Sequence, residues 1–141
     1  MDSKILVSDF MDRAPAVVPE GTPLTAVIDV LAGHHQTGAP VVNDKREVVG
    51  FVSEQDCMRQ LLLSSYHCSL EPSVNEVMRT DVVAVTPKDT VMSVAQQMID
   101  QKPKLYPVID GGKLVGLIGR AAVLQVLKEN ESLCHRKPTK S

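Results

Sequence analysis

Residues 40–56 read Pro-Val-Val-Asn-Asp-Lys-Arg-Glu-Val-Val-Gly-Phe-Val-Ser-Glu-Gln-Asp. Two short apolar runs flank the turn residues Asn43-Asp44-Lys45-Arg46, a pattern that predicts a β-hairpin. The second run leads into Cys57, Met58, Leu61 and Leu62, whose spacing predicts a helix. The same order returns at 107–122 as Pro-Val-Ile-Asp-Gly-Gly-Lys-Leu-Val-Gly-Leu-Ile-Gly-Arg-Ala-Ala. There Asp110-Gly111 suits a tight hairpin turn, and Ala122, Val123, Val126 and Leu127 supply the helical face.

Two more anchors repeat, both N-terminal to these stretches within their copies. Val7-Ser8-Asp9-Phe10-Met11 is matched by Val74-Asn75-Glu76-Val77-Met78, and Pro19-Glu20-Gly21-Thr22 by Pro87-Lys88-Asp89-Thr90. With Pro40/Pro107 and Val48/Leu114, the anchors recur 67, 68, 67 and 66 residues later in one order. Self-similarity at one offset identifies an internal duplication. Within each copy a β-prone segment follows the Met: Ala16-Val17-Val18, or Val82-Val83-Ala84-Val85. Thr22 and Thr90 are read as helix N-caps. Leu24, Val27, Ile28 and Leu31, and again Val91, Val94, Ala95 and Met98, fall at i, i+3, i+4, i+7, the spacing of one helix face. Each unit is therefore β-α-β-β-α, an α+β class. Repeat one is assigned to residues 5–64, a linker to 65–73, repeat two to 74–128 and a polar, disordered tail to 129–141.

Composition bounds what such a chain does. Its 141 residues match the roughly 100–200 of an ordinary domain. Lys and Arg number 15 against 17 Asp and Glu, for a net charge of −2. That balance excludes a nucleic-acid coat, which concentrates basic charge on one face. Two Tyr, two Phe and no Trp leave little aromatic surface for stacking unpaired bases. No apolar run approaches the ~20 residues of a membrane span, and residues 1–7 carry no secretory pattern. The three cysteines, Cys57, Cys68 and Cys134, lack framework spacing, so reduced thiols in a cytoplasm are expected. No metal site is expected: His34-His35, His67-Cys68 and Cys134-His135 are sequence neighbours, and neighbouring side chains rarely converge on one ion.

The order of anchors resembles the CBS domain, named for cystathionine β-synthase, and the duplication looks like a CBS pair. The marks are Met11 and Met78, the Pro-x-x-Thr helix starts, Pro-Val at 40–41 and 107–108, and the element Gly50-Phe51-Val52-Ser53-Glu54-Gln55-Asp56. The resemblance implies two sheets packed with pseudo-twofold symmetry, clefts between the copies, and disc-like homodimers. It also implies a regulatory module that binds an adenosine-containing ligand: AMP, ADP or ATP, with S-adenosylmethionine and NAD as further members of the class. No obligatory cofactor is implied.

A physical case stands beside that implication. Ser53 opens a helix and Asp56 lies one turn later on the same side. An ionised carboxylate accepts two hydrogen bonds from a ribose diol. Helix-start amides with the Ser53 hydroxyl favour a phosphate. Ala16-Val17 and Ala39-Pro40-Val41 are read as small walls around a base, with backbone groups exposed to read its edge. Ser-x-x-Asp also reads as a capping box in which both side chains are structural.

Repeat two has Gly119 and Ala122 at the equivalent positions, so a second site of that chemistry is not expected. Arg120 and Lys104 each have two readings, phosphate contact or solvated surface, and Tyr106 has two, base stacking or core. No nucleophile elbow, Walker loop or dinucleotide fingerprint occurs, and no base stands near the carboxylates, so no enzyme is expected. The rival to a nucleotide sensor is a ligand-free CBS scaffold for protein–protein interaction.

Overall fold

The computed structural model describes residues 5–66, 70–101 and 103–136, the last six as backbone only. It is an α+β fold of four helices and two small sheets. The elements are β1 (Val18–Pro19), α1 (Leu24–His34), β2 (Gly38–Val42), β3 (Val48–Ser53), α2 (Glu54–Ser64), α3 (Val91–Asp100), β4 (Leu105–Asp110), β5 (Lys113–Gly119) and α4 (Arg120–Arg136). Among the described residues no helix is long and apolar enough to cross a membrane.

Two compact units form, and each takes its opening segment from the other repeat. The repeat-one unit comprises Ala14–Val82 with Gly111–Leu114. The repeat-two unit comprises the described residues up to Arg13, Val83–Asp110 and the chain from Val115 onward.

In the repeat-one unit the sheet order is β1-β2-β3. β1 runs parallel to β2, with Val18 opposite Val41. β2 and β3 form the expected antiparallel hairpin, pairing Gly38 with Ser53, Ala39 with Val52 and Pro40 with Phe51. α1 turns Leu24, Val27 and Leu31 inward at 3% exposure or less, onto Val18, Ala39, Val41 and Val52. Thr22 does not cap this helix. Pro23 holds the N-cap position, and the Thr22 hydroxyl donates to Pro19 O at 2.6 Å. The cap comes from the linker instead: Glu71 Oε2 accepts from the Thr25 N–H at 2.6 Å, and Pro72 O from the Leu24 N–H at 3.0 Å. The spacing of α2 promised an apolar inner face, but of its apolar residues only Cys57 is buried. Met58, Leu61, Leu62 and Leu63 face outward.

β4 and β5 form the second hairpin, and Gly111 and Gly112 take the positive φ of its turn (58° and 80°). The Val82–Val85 segment contributes one parallel bridge, Val85 to Val108, and not a full strand. Thr90 does cap its helix, accepting from the Ser93 N–H at 3.1 Å. Val91 and Val94 meet Val85, Val108, Ile118, Val123 and Val126 in the core. Tyr106 lies in that core at 0% exposure, which settles its reading as a core residue. α4 continues to Arg136, so residues 129–136 of the expected disordered tail are helical. Residues 1–4, the His67-Cys68 pair, the side chains of Cys134 and His135, and 137–141 lie outside what is described.

Candidate functional site

The strand–turn–helix element of repeat one builds the site. β3 ends at Ser53, which keeps extended geometry (φ −116°, ψ 165°) and so can cap α2. Its Oγ accepts from the Asp56 N–H at 3.1 Å. Asp56 Oδ2 accepts in return from the Ser53 N–H at 3.0 Å and the Ser53 hydroxyl at 2.9 Å. This is the capping box that the spacing allowed. The other carboxylate oxygen, Oδ1, accepts from Arg59 Nη1 at 3.2 Å and lies 3.8 Å from Arg79 Nε.

Asp56 is 4% exposed, while Arg59 and Arg79 are 62% and 57% exposed. A buried carboxylate with both oxygens engaged is chemically quiet until something replaces a partner. Its oxygens have about four acceptor positions in all, and the three hydrogen bonds and the Arg79 ion pair use them. The neighbouring Cys57 thiol is pushed up from its usual range, chiefly by burial and then by the Asp56 and Glu54 carboxylates. It therefore stays protonated and inert at neutral pH.

The other end of the site is the segment before β1. Ala16 is buried, and its backbone is engaged by the Gln36 side chain. The Ala16 N–H donates to Gln36 Oε1 at 2.8 Å, and Gln36 Nε2 donates to Ala16 O at 3.1 Å and to Gly38 O at 3.0 Å. Gly38 in turn is in register with Ser53, so Ala16, Gln36, Gly38, Ser53 and Asp56 form one connected set.

Of the residues singled out in the sequence, Ala16, Val17, Ala39, Pro40, Val41, Ser53 and Asp56 all lie in the repeat-one unit. Val17 is half-buried. Ala39 and Val41, two apart on β2, share one face and are fully enclosed in the core. Pro40, between them, projects to the opposite face. Arg120 belongs to the repeat-two unit, where it is exposed and starts α4, its N–H donating to Lys104 O at 2.9 Å. At Gly119 a Cβ would lie 2.9 Å from a Leu105 methyl, so a serine cap there would require Leu105 to move.

Sequence reading missed Gln36, Arg59 and Arg79. Arg59 carried a signal, because an acid and a base three apart on a helix are neighbours. Gln36 is one polar residue in a loop, and Arg79 reaches Asp56 from another part of the chain.

Comparison with known proteins places the chain in company. It is 24% identical over 129 residues to the uncharacterized protein MJ1225 of Methanocaldococcus jannaschii, covering 92% of this chain and 45% of that protein. The chain thus spans less than half the length of that relative. A putative acetoin utilization protein (AcuB) from Vibrio cholerae superposes with a TM-score of 0.83 at 25% identity, covering 92% of this chain and 96% of the other. CBSX2 of Arabidopsis thaliana, solved in complex with AMP, superposes with a TM-score of 0.77 at 25% identity, covering 90% and 98%. The CBS domain model matches residues 7–63 and again 74–129, and the chain belongs to the CBS domain family as a tandem pair.

Proposed function

We propose that this chain is a regulatory module that binds an adenosine nucleotide (AMP, ADP or ATP) at repeat one, with Asp56 taking the ribose and the start of α2 the phosphate. The observation that carries the reading is the buried Asp56 carboxylate beside the capped helix start, on the same sheet end as the Ala16 backbone edge. That CBSX2, 25% identical to this chain, was solved with AMP supports the ligand class.

Binding has a partner exchange built into it. A ribose diol donating to Asp56 takes the Oδ1 side, where Arg59 and Arg79 now stand. The two guanidiniums released are more than half exposed and suited to a phosphate. Coupling to a partner follows if two states of the module differ in nucleotide affinity. The outward Met58, Leu61 and Leu62 of α2, with a groove of about 210 Å³ against Ile28 and Leu31, support association into a homodimer. We assign the chain no catalysis.

A second reading is a ligand-free scaffold, favoured by the saturation of Asp56 by its own neighbours. Thermal melts with AMP, ADP, ATP, NAD and S-adenosylmethionine separate the two, since a ligand bound to the native state raises the midpoint. A rise with an adenine nucleotide supports the sensor. Flat midpoints across the panel leave the scaffold.

A further inference from the structure

We propose that the Gln36 carboxamide is a resident stand-in for a nucleobase: it occupies the hydrogen-bonding edge of Ala16, and a base must displace it to bind repeat one. The proposal rests on the nucleotide reading above and adds what controls access to that site.

Ala16 lies just before β1, where the chain no longer pairs with β2. Its N–H and C=O are an unsatisfied strand edge until Gln36 closes on them. The carboxamide uses its acceptor on one Ala16 group, one donor hydrogen on the other, and the second donor on Gly38 O. An amide group carries an acceptor and a donor side by side. Adenine carries the same pair, a ring nitrogen acceptor next to the exocyclic amino donor. What Gln36 satisfies at Ala16, an adenine edge satisfies equally.

The backbone of Gln36 is held in place, so that only its side chain is free to leave. His35 takes the left-handed conformation (φ 52°) that ends α1, and the Gln36 N–H donates to Leu31 O at 3.1 Å. Gln36 is half-buried, so part of it already meets solvent. Gly38, its third contact, pairs with Ser53, so the plug sits beside the helix start assigned to the phosphate. The position 67 residues on from Gln36 is Pro103, which has no side-chain amide.

A purely structural Gln36 and a displaceable one differ in two readouts. AMP and ATP are titrated by calorimetry into wild type, Gln36→Ala and Gln36→Met, the last keeping side-chain length without the amide. Exchange of the Ala16 amide is followed by NMR in the same proteins. Both variants should bind about tenfold tighter than wild type, the equivalent of ~1.4 kcal/mol. The Ala16 amide should be protected in free wild type, open in the free variants and protected again at saturating AMP. Wild-type binding with unchanged or weaker binding by both folded variants overturns the proposal and leaves the nucleotide reading intact. So does an Ala16 amide that stays open in a saturated variant. Absence of AMP and ATP binding in wild type and variants alike overturns both.

Discussion

A Cβ at residue 50 would clash with the Sδ of Met78 and lie 2.8 Å from Arg79 O. Gly50 is therefore a docking point: the opening segment of repeat two lies on β3 of repeat one, fixed by paired Phe51–Arg79 backbone hydrogen bonds of 2.9 Å each. Gly116 does the same for Met11, whose Sδ is 2.7 Å from the missing Cβ, next to the Asp12–Leu117 bridge. Both glycines are needed for close approach and not for backbone freedom.

Gly50→Ala should destabilise the protein by ~1–3 kcal/mol, the usual cost of overpacking. Met78→Ala removes the obstructing sulfur but not Arg79 O, so the double variant should cost less than the two singles summed. Urea unfolding of the four proteins provides the cycle. Strict additivity would show that the sulfur is not what occupies the space.

Asp56→Ala should weaken AMP binding ~10–150-fold, the effect of losing a charged hydrogen-bonding group. Its stability cost comes from the Ser53 N–H and hydroxyl left without an acceptor, ~1–3 kcal/mol. Arg59 and Arg79 rehydrate, since both are more than half exposed. Arg59→Ala should accordingly change stability by less than ~1 kcal/mol. Calorimetric titration and denaturant melts report the two effects separately, and unchanged AMP affinity in Asp56→Ala would remove Asp56 from the site.

The Tyr106 hydroxyl is buried with no hydrogen-bond partner among the described residues. Tyr106→Phe should therefore leave stability unchanged or raise it by up to ~1 kcal/mol. Burial also pushes the phenol up from its ordinary range. The folded state then holds a proton that the unfolded chain gives up first, so stability is intact below the ordinary value of ~10 and declines above it. Alkaline unfolding should begin at higher pH in Tyr106→Phe, as followed by circular dichroism. An identical alkaline limb in both proteins would count against the assignment.

Glu71 accepts hydrogen bonds from Thr25 at the start of α1, from its side chain and its backbone, and these hold the carboxyl below its ordinary range. A depressed carboxyl contributes stability above its unfolded value and loses it as pH falls through the folded one. Glu71→Gln should lower the melting midpoint at pH 7, and the gap to wild type should close under acid. A gap independent of pH would mean that the charge plays no part.

Much of this was legible in the residues. The duplication announced the class, and the inward faces of α1 and α3 fell where Leu24, Val27, Leu31, Val91 and Val94 predicted, because helix and strand periods are local properties. The Ser53–Asp56 cap was also local, a matter of residues three apart. α2 was misread for a related reason: periodicity reports an apolar stripe, but not whether a neighbour covers it. Among the described residues, Met58, Leu61 and Leu62 are left exposed.

By itself, the chain determined two copies of β-α-β-β-α, their hairpins, their helix faces and the cap at Ser53, since each depends on residues near in sequence. Tertiary structure decided which copy each opening segment joins. Met11 and Met78 stand at equivalent positions, and no local preference distinguishes a dock on one's own glycine from a dock on the other's. It also decided that Arg79 reaches Asp56, and that Gln36, 20 residues from Ala16, completes the unpaired backbone edge there. Those contacts join distant parts of the chain, and only packing brings them within hydrogen-bonding reach.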